Sequence, residues 1–241
     1  MKGRLKEIFS VIPTAEVFAD IGCDHGYMAK AVLDGGKCKR AVIADISALC
    51  LKKAQDLLAN YVAEGRVVSY VADGFCGLPP VDCALIAGMG GEEIISILQK
   101  ADGSAENCNK NAAESFNQKS AEKCNETTPK KLPQKLVLQP MKNSPKVRET
   151  LVALGYKIVK DYTFTEGKKY YDIILAEKGK DELTEEEKEF GRTNLLERPQ
   201  GFIECLNLKI AELESVLSQP SISQKAKDEI YSKIERMKKY V

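Results

Sequence analysis

The chain has 241 residues, of which 44% are hydrophobic and 29% are charged. This length accommodates one domain of about 150 residues and a smaller companion. The hydrophobic fraction excludes a wholly disordered chain, and no apolar run approaches the roughly 18 residues of a membrane span. The 36 Lys and Arg residues nearly balance 35 Asp and Glu residues, so the net charge of +1 gives no sign of nucleic-acid binding, although it is compatible with a local basic face.

The histidine and cysteine content narrows the kind of site. His25 is the single histidine, which excludes a His-rich metal site and argues against a Ser-His-Asp triad. The eight cysteines form no C-x-x-C pair and several lie in apolar segments, so we expect reduced, buried thiols and no metal. Residues 1–13 do not have the pattern of a signal peptide. These features predict a cytoplasmic protein without a membrane segment.

The first part of the chain alternates helices and strands. Leu5, Ile8, Phe9 and Ile12 are spaced as on one face of a short helix, which we expect to pack as a lid. Apolar runs and helical spacing then predict four strands and three helices. The strands are 17–22, 41–45, 67–72 and 83–87, and the helices are 27–33, 49–61 and 94–98. Such alternation with short loops predicts a parallel, doubly wound α/β sheet, because parallel neighbours need crossover helices.

The next part contains a low-complexity segment and the rest of the sheet. Residues 101–134 are rich in Asn, Lys, Ser, Glu and Ala, which predicts a mobile surface insertion or, alternatively, a loop that becomes ordered on a partner. Further elements follow it: a strand at 136–140, a helix at 145–154 and strands at 156–165 and 169–176. Glu166-Gly167-Lys168 between the last two predicts an antiparallel hairpin. The sheet is therefore expected to have about seven strands.

Beyond Gly179 the composition shifts to Glu, Lys and Leu, without any strand pattern. Two apolar stripes at helical spacing predict two antiparallel helices, and hence a helical, coiled-coil domain over 180–241 beside a first domain over 1–179. Residues 221–241 carry six basic and three acidic side chains, and Lys233 and Arg236 are among the basic ones. This helix has either a solvated charged face or an arm that contacts phosphates.

A polar loop follows the first strand, where α/β folds bind ligands. The segment from Asp20 to Gly26 differs from G-x-G-x-x-G because Asp24 replaces the second glycine. Two carboxylates would repel a pyrophosphate, whereas they would attract the α-ammonium and sulfonium groups of S-adenosylmethionine. No Walker A sequence occurs in the chain. The loop therefore predicts a cationic ligand.

Three more strand ends carry polar or glycine residues. Asp45, which is 25 residues after Asp20, is placed to accept hydrogen bonds from both hydroxyls of a ribose. Asp73 and Gly74 either address the adenine amine of the cofactor or form a plain turn. The glycines in 88–91 would let a flat substrate approach the cofactor methyl group without an intervening Cβ. Together the four strand ends predict one ligand site.

Three segments resemble the bacterial tRNA (adenine22-N1)-methyltransferase family, of the TrmK type. They are Ala19–Tyr27, Ile86–Gly91 and Leu138–Pro140. The similarity runs in order from residue 2 to about 178, and it implies a Rossmann-like class I methyltransferase domain with a C-terminal coiled-coil domain. It also implies S-adenosyl-L-methionine as cofactor and tRNA as partner. The chain departs from the family pattern at Cys23, Gly26 and Asp45, and in its longer 101–134 insertion.

The resemblance also implies site residues. Ten positions are expected to line the cofactor pocket, namely Asp20, Gly22, Asp24, His25, Gly26, Asp45, Asp73, Gly74, Gly88 and Met89. The target adenine is expected to meet the methyl group between the first loop and residues 88–91. The predicted substrate contacts are Arg4, Gly90, Gly91, Pro140, Lys233 and Arg236.

Asp24 and Tyr27 are the predicted catalytic residues. Adenine N1 carries an in-plane lone pair, so positioning in a dehydrated pocket matters more than a strong base. Asp24 would orient the N6 amine, stabilise the positive charge that grows on the ring and then accept a proton from N6. His25 is the alternative for this role, or it braces the loop. Tyr27 would stack on or hydrogen-bond the flipped base, or simply pack in the fold.

Two other functions stay open from the sequence. One is a class I methyltransferase that acts on a small molecule or a protein, since a fold does not define a substrate. The other is a methyltransferase-like domain that binds RNA without catalysis. The sequence leaves the oligomeric state unknown, with a monomer favoured.

Overall fold

The computed structural model describes residues 3–103, 132–218 and 222–241. Most of the predicted 101–134 insertion lies outside the described residues, so the interpretation of that segment stays a prediction. At its borders, a helix that begins at Gly91 continues to Asp102, and Leu132 is already buried.

Seven strands form one sheet in the order β3-β2-β1-β4-β5-β7-β6. The strands are β1 Ala15–Ile21, β2 Cys38–Asp45, β3 Val67–Val71, β4 Cys83–Met89, β5 Lys135–Pro140, β6 Tyr156–Glu166 and β7 Lys169–Lys178. Strands β1 to β5 are parallel, whereas β6 and β7 form the antiparallel hairpin at one edge. The doubly wound α/β class and the seven strands are therefore confirmed.

Helices cover both faces of the sheet. They are α1 Arg4–Val11, α2 Tyr27–Asp34, α3 Ala48–Leu57, α4 Ala59–Ala63, α5 Gly91–Asp102 and α6 Ser144–Ala153. Strand residues alternate between two cores, since Phe18 packs with α1, α2 and α3 while its neighbour Ala19 packs with α5 and α6. Buried parallel strands with apolar side chains on both faces give near-continuous hydrophobic runs, which explains why the sequence revealed them.

Two elements differ from the prediction. The single helix expected over 49–61 is divided into α3 and α4 at Leu58, whose φ of −101° and ψ of 14° leave the helical region. Leu58 stays buried in the core, whereas no residue of α4 is buried. Strand β4 continues past Ala87 to Met89, with an irregular register at Gly88, which has a φ of 77°.

The C-terminal region contains four described helices, where the sequence predicted two. They are α7 Glu185–Phe190, α8 Arg192–Glu197, α9 Gln200–Leu217 and α10 Gln224–Lys238. The two predicted helices correspond to α9 and α10, which share a core that includes Leu206, Ile210 and Ile234. Helix α7 was not predicted because it is Glu-rich and has no apolar stripe, although the capping box between Thr184 and Glu187 is a local signal for its start.

A buried polar network joins these helices to the sheet. Arg148 of α6 donates from Nε to Asp161 Oδ2 of β6 at 2.8 Å, and both side chains are fully buried. The other Asp161 oxygen accepts from the backbone N–H of Thr193 in α8 at 2.9 Å. Because a buried charge without its partner is costly, this network holds α8 against β6.

Candidate active site at the carboxyl ends of the strands

A cleft opens where the strand order reverses, between β1 and β4. In open α/β sheets this is the position at which ligands bind. The cleft has a volume of about 710 Å³ and is lined by residues at the ends of β1, β2, β3 and β4, together with α1 and α5. This volume is in the range of small-molecule sites. Helix α1, which begins one residue before the predicted helix, contributes Arg4, Leu5 and Ile8 to one wall.

A glycine in the first loop lies against the side chain of Met89. Gly22 has a φ of 71°, and a Cβ at this position would overlap Cε of Met89. Asp24 follows with a φ of 46°, and its backbone N–H donates to Asp45 Oδ2 at 3.0 Å. The positive φ at position 22 favours glycine.

Asp20 is a buried carboxyl at the end of β1. Only 4% of the residue is exposed, and its Oδ2 accepts from the backbone N–H of Ala29 at 3.1 Å. Burial raises the pKa of Asp20 to about 7, the Ala29 hydrogen bond opposes this effect, and the Asp45 carboxylate adds to it. A cationic ligand in the cleft would favour the ionised form.

Asp45 ends β2 and accepts two backbone hydrogen bonds. Its Oδ1 accepts from the N–H of Ser47 at 2.8 Å, and its Oδ2 accepts from the N–H of Asp24 at 3.0 Å. These bonds determine the direction of the carboxylate while leaving further lone pairs for a ligand. Asp45 therefore connects the first loop to the second strand end.

Asp24, His25 and Tyr27 form a cluster at the mouth of the cleft. The Asp24 Oδ2 lies 2.8 Å from His25 Nδ1, and this hydrogen bond is the main reason that the pKa of Asp24 is lowered. The rings of His25 and Tyr27 are stacked, with centroids 5.8 Å apart and planes inclined by 12°. Tyr27 is 57% exposed, so its aromatic surface is accessible.

The ends of β3 and β4 complete the cleft. The Asp73 carboxylate lies 2.7 Å from Lys100 Nζ of α5. The Gly88 N–H donates to Gln139 Oε1 at 3.2 Å, and the Arg4 guanidinium donates to the same oxygen at 3.4 Å. The acids thus lie mainly toward β1, β2 and β3, and Arg4 lies beside β4 and β5.

The structure brings most, but not all, of the predicted site residues together. Nine of the ten predicted cofactor residues line the cleft, and so does Arg4. Gly26 does not line it, because it lies where a Cβ would be 2.9 Å from the Ala54 side chain, so it permits α2 to pack on α3. Gly90, Gly91 and Pro140 also do not line it. Gly91 instead donates its N–H to the Lys142 carbonyl at 3.1 Å.

The two predicted C-terminal contacts lie on α10, outside the cleft lining. Lys233 is exposed, and the Arg236 guanidinium lies 5.8 Å from the centre of the Phe190 ring.

Four residues in or beside the cleft were not among the predicted site residues. They are Gln139, Ile46, Ser96 and Lys100. Ser96 and Lys100 are four residues apart on α5, a spacing that places them on one face of the helix.

The described residues also bear on membrane spans, metal sites and cysteines. No helix within 3–103, 132–218 and 222–241 combines the length and the apolar character that a membrane span requires. In the same ranges, no group of three or more His, Cys, Asp or Glu side chains is arranged to hold a metal ion. Six cysteines in the described part of the chain are free thiols, and those at 23, 38 and 83 are buried.

The fold and the acidic cleft define a class of protein. Residues 1–121, just over half of the chain, match the family model of the methyltransferase domain. The chain therefore belongs to the methyltransferases with a doubly wound sheet.

The second half defines the family more closely. Residues 123–239 match the model of tRNA (adenine(22)-N(1))-methyltransferase. The two matches follow one another along the chain, and together they confirm the predicted family. The C-terminal half of this chain thus matches the TrmK family.

Individual relatives support this assignment. A Mycoplasma pneumoniae protein, provisionally named a tRNA methyltransferase, is 36% identical over 104 residues, which are 41% of this chain and 47% of that protein. The chain thus spans about half the length of this relative. The tRNA (adenine(22)-N(1))-methyltransferase of Bacillus subtilis is 24% identical over 178 residues, with 73% of this chain and 64% of the relative covered.

A solved structure shows that the fold extends over the whole chain. M. capricolum TrmK, solved in complex with S-adenosyl-homocysteine, superposes with a TM-score of 0.78 and 22% identity. The superposition covers 100% of this chain and 97% of that one. The C-terminal helices are therefore part of the shared architecture.

Proposed function

We propose that this chain transfers the methyl group of S-adenosyl-L-methionine to N1 of adenine 22 in tRNA. The observation that carries the proposal is the acidic cleft at the reversal of strand order, in a chain whose residues 123–239 match the tRNA (adenine(22)-N(1))-methyltransferase model. The cytoplasm is the location we propose for this reaction, and we propose a monomer as the acting species.

The cleft residues suit S-adenosyl-L-methionine. Asp20 and Asp24 provide negative charge for its ammonium and sulfonium groups, and Asp45 keeps lone pairs for ribose hydroxyls. When bound, the cofactor supplies an electrophilic methyl group on a sulfonium sulfur.

The reaction requires mainly a correct alignment of the two reactants. The bond between sulfur and the methyl carbon breaks as the bond between this carbon and adenine N1 forms, so the positive charge moves from sulfur to the purine ring. Because N1 already has a lone pair, the protein must chiefly align the ring and exclude water. The Gly88 backbone lets the flat ring approach without a Cβ between them.

Asp24 and Tyr27 are our candidates for the catalytic residues. The Asp24 carboxylate is 66% exposed and lies toward the cleft, where it can accept from the N6 amine and stabilise the ring charge. Its lowered pKa keeps it ionised, and the His25 hydrogen bond orients it. The Tyr27 ring, stacked on His25, offers a surface for the adenine.

The C-terminal helices are our candidates for the tRNA-binding part. An N1 edge inside a paired region is hidden, so the RNA must be held while the base is exposed. Residues 180–241 form the domain that we propose for this role, with Lys233 and Arg236 of α10 contacting phosphates. Residues 1–179 form the proposed catalytic domain.

The test is methyl transfer from labelled S-adenosyl-L-methionine to an unmodified tRNA transcript. A matched transcript carries guanosine instead of adenosine at position 22. We expect incorporation of label into the first transcript and none into the second. Equal labelling of both would refute the proposed site, and labelling of neither, with the cofactor bound, would refute tRNA as the acceptor.

A further inference from the structure

The Arg4 guanidinium is held in the cleft by uncharged groups. Its Nη1 donates to Gln139 Oε1 at 3.4 Å and contacts Met141 Sδ at 3.6 Å. Its Cζ lies 5.4 Å from the centre of the Tyr171 ring. Within the described part of the chain, no carboxylate forms an ion pair with this guanidinium. Lys100, the other basic side chain of the cleft wall, is paired with Asp73.

The Gln139 amide has one orientation that satisfies all its partners. The residue is fully buried at the end of β5. Its Oε1 accepts from the Gly88 N–H and from Arg4, while its Nε2 donates to the Pro140 carbonyl at 3.0 Å. A reversed amide would point its NH₂ group at two donors and its oxygen at a carbonyl, which burial makes unfavourable. The oxygen is therefore fixed toward Arg4.

This arrangement orients a positive charge without neutralising it. A carboxylate in place of the amide would also bind Arg4, but it would cancel the charge. The Glu166 carboxylate accepts from the backbone N–H of Arg4 at 2.9 Å and, among the described residues, no carboxylate lies at ion-pair distance from the Arg4 side chain. A partly desolvated guanidinium of this kind favours an anionic ligand. The anion must reach the cleft beside Gly88, on the side of β4 and β5.

We propose that Gln139 is a positioning residue, which presents the uncompensated Arg4 guanidinium to an oxyanion of the bound reactants. Two reactants carry such a group: the cofactor has an α-carboxylate, and the acceptor nucleotide has a backbone phosphate. Both sources involve the same recognition chemistry at Arg4. The assignment rests on the proposed function for the identity of the reactants.

The test compares Gln139→Glu with Gln139→Met in the full chain. The Glu variant places a carboxylate against Arg4, whereas the Met variant keeps the volume and leaves the charge uncompensated but poorly oriented. We expect Gln139→Glu to weaken binding of the oxyanion-bearing reactant about tenfold and Gln139→Met to weaken it only a few-fold. In Arg4→Gln, the further change Gln139→Glu should cost little, because the charge that it cancels is already gone.

Two measurements distinguish the two sources. Calorimetry gives the affinity for S-adenosyl-homocysteine and for decarboxylated S-adenosylmethionine, and a loss confined to the first identifies the carboxylate. Kinetics in a salt series give kcat/KM for tRNA, and a salt slope reduced by about 0.7 to 0.9 in Gln139→Glu identifies one phosphate.

Equal effects of the Glu and Met variants on both reactants would overturn the proposal, since Gln139 would then act only through packing. An additional loss from Gln139→Glu in the Arg4→Gln background, as large as in the wild type, would overturn it as well. Failure of the wild-type chain to methylate tRNA would instead refute the proposed function, and the calorimetric comparison would still test Gln139.

Discussion

The cleft and helix α10 place charge in different ways. In the cleft, Asp20 and Asp45 are held by backbone N–H groups from neighbouring segments, and Asp20 is almost completely buried. On α10, Lys233 is exposed, and Arg236 rests on the ring of Phe190. The first arrangement gives a few fixed charges shielded from solvent, and the second gives charges at the protein surface.

This difference predicts how much one residue contributes. A charge that is fixed and shielded from solvent acts strongly on a ligand, because little energy is needed to orient it and salt screens it weakly. An exposed lysine contributes little by itself and loses its effect as salt rises. Single substitutions should therefore have large effects in the cleft and small effects on α10.

Replacement of Asp45 should have the largest effect. In Asp45→Ala, the Asp24 and Ser47 N–H groups lose their acceptors, and so does the cofactor ribose under the proposed function. We expect affinity for S-adenosyl-homocysteine to fall about 100-fold, equivalent to about 2.7 kcal/mol. Calorimetry measures this loss. The matched control is Asp82→Ala, which removes a carboxylate that accepts from the Val17 N–H at 2.8 Å, outside the cleft lining.

The control variant should bind S-adenosyl-homocysteine as the wild type does. If Asp45→Ala also retained affinity within threefold, Asp45 would have no role in the cofactor site. Such a result would remove the strongest contrast between the cleft and α10.

Asp20 should make cofactor binding depend on pH. Its folded-state pKa of about 7 is above the ordinary value of 3.8, so the folded protein binds the extra proton. The ionised form is needed for the cationic S-adenosyl-L-methionine, and we expect affinity to rise about tenfold between pH 6 and pH 8. Calorimetry across this range measures the change, and in Asp20→Asn the dependence should be lost.

The same residue should oppose folding at high pH. A raised carboxyl pKa means that its contribution to stability is full below the unfolded pKa and declines as pH rises through about 7. Asp20→Asn, which can still accept from Ala29, should therefore raise the free energy of unfolding at pH 8 by about 2 to 4 kcal/mol. Denaturant unfolding at pH 5 and pH 8 tests the sign, and a variant less stable than the wild type at pH 8 would contradict the assignment.

The sequence predicted the acids of the cleft better than their surroundings. Asp20, Asp45 and Asp73 follow buried strands, and parallel strands bring their carboxyl ends to one edge, so their proximity follows from the pattern. The contact of Arg4 with Gln139 joins residues 135 positions apart, and no local spacing records it. The same holds for Met89 over Gly22, which depends on how β4 lies beside β1.

In the fold, too, features set by local sequence were predictable, and features set by distant contacts were not. Strands and amphipathic helices were predictable from periods of two and 3.6 residues. Helix α7 has no apolar period, and only its capping box marks it in the sequence, whereas its docking depends on distant groups, such as the Arg148 guanidinium that donates to the Lys188 carbonyl at 3.1 Å. The break at Leu58 was also missed, since apolar spacing continues across it.

Substitution on α10 should have the smallest effect. We expect Lys233→Gln to raise KM for tRNA two- to threefold, with kcat and S-adenosyl-homocysteine affinity unchanged, because one exposed phosphate contact is lost. The control is Lys39→Gln, an exposed lysine 2.9 Å from Glu16 near the start of β2. Methylation kinetics from 50 to 200 mM salt measure the difference, which should narrow as salt rises. A tenfold loss of kcat in Lys233→Gln would show instead that α10 acts at the reacting base, and the contrast with the cleft would fail.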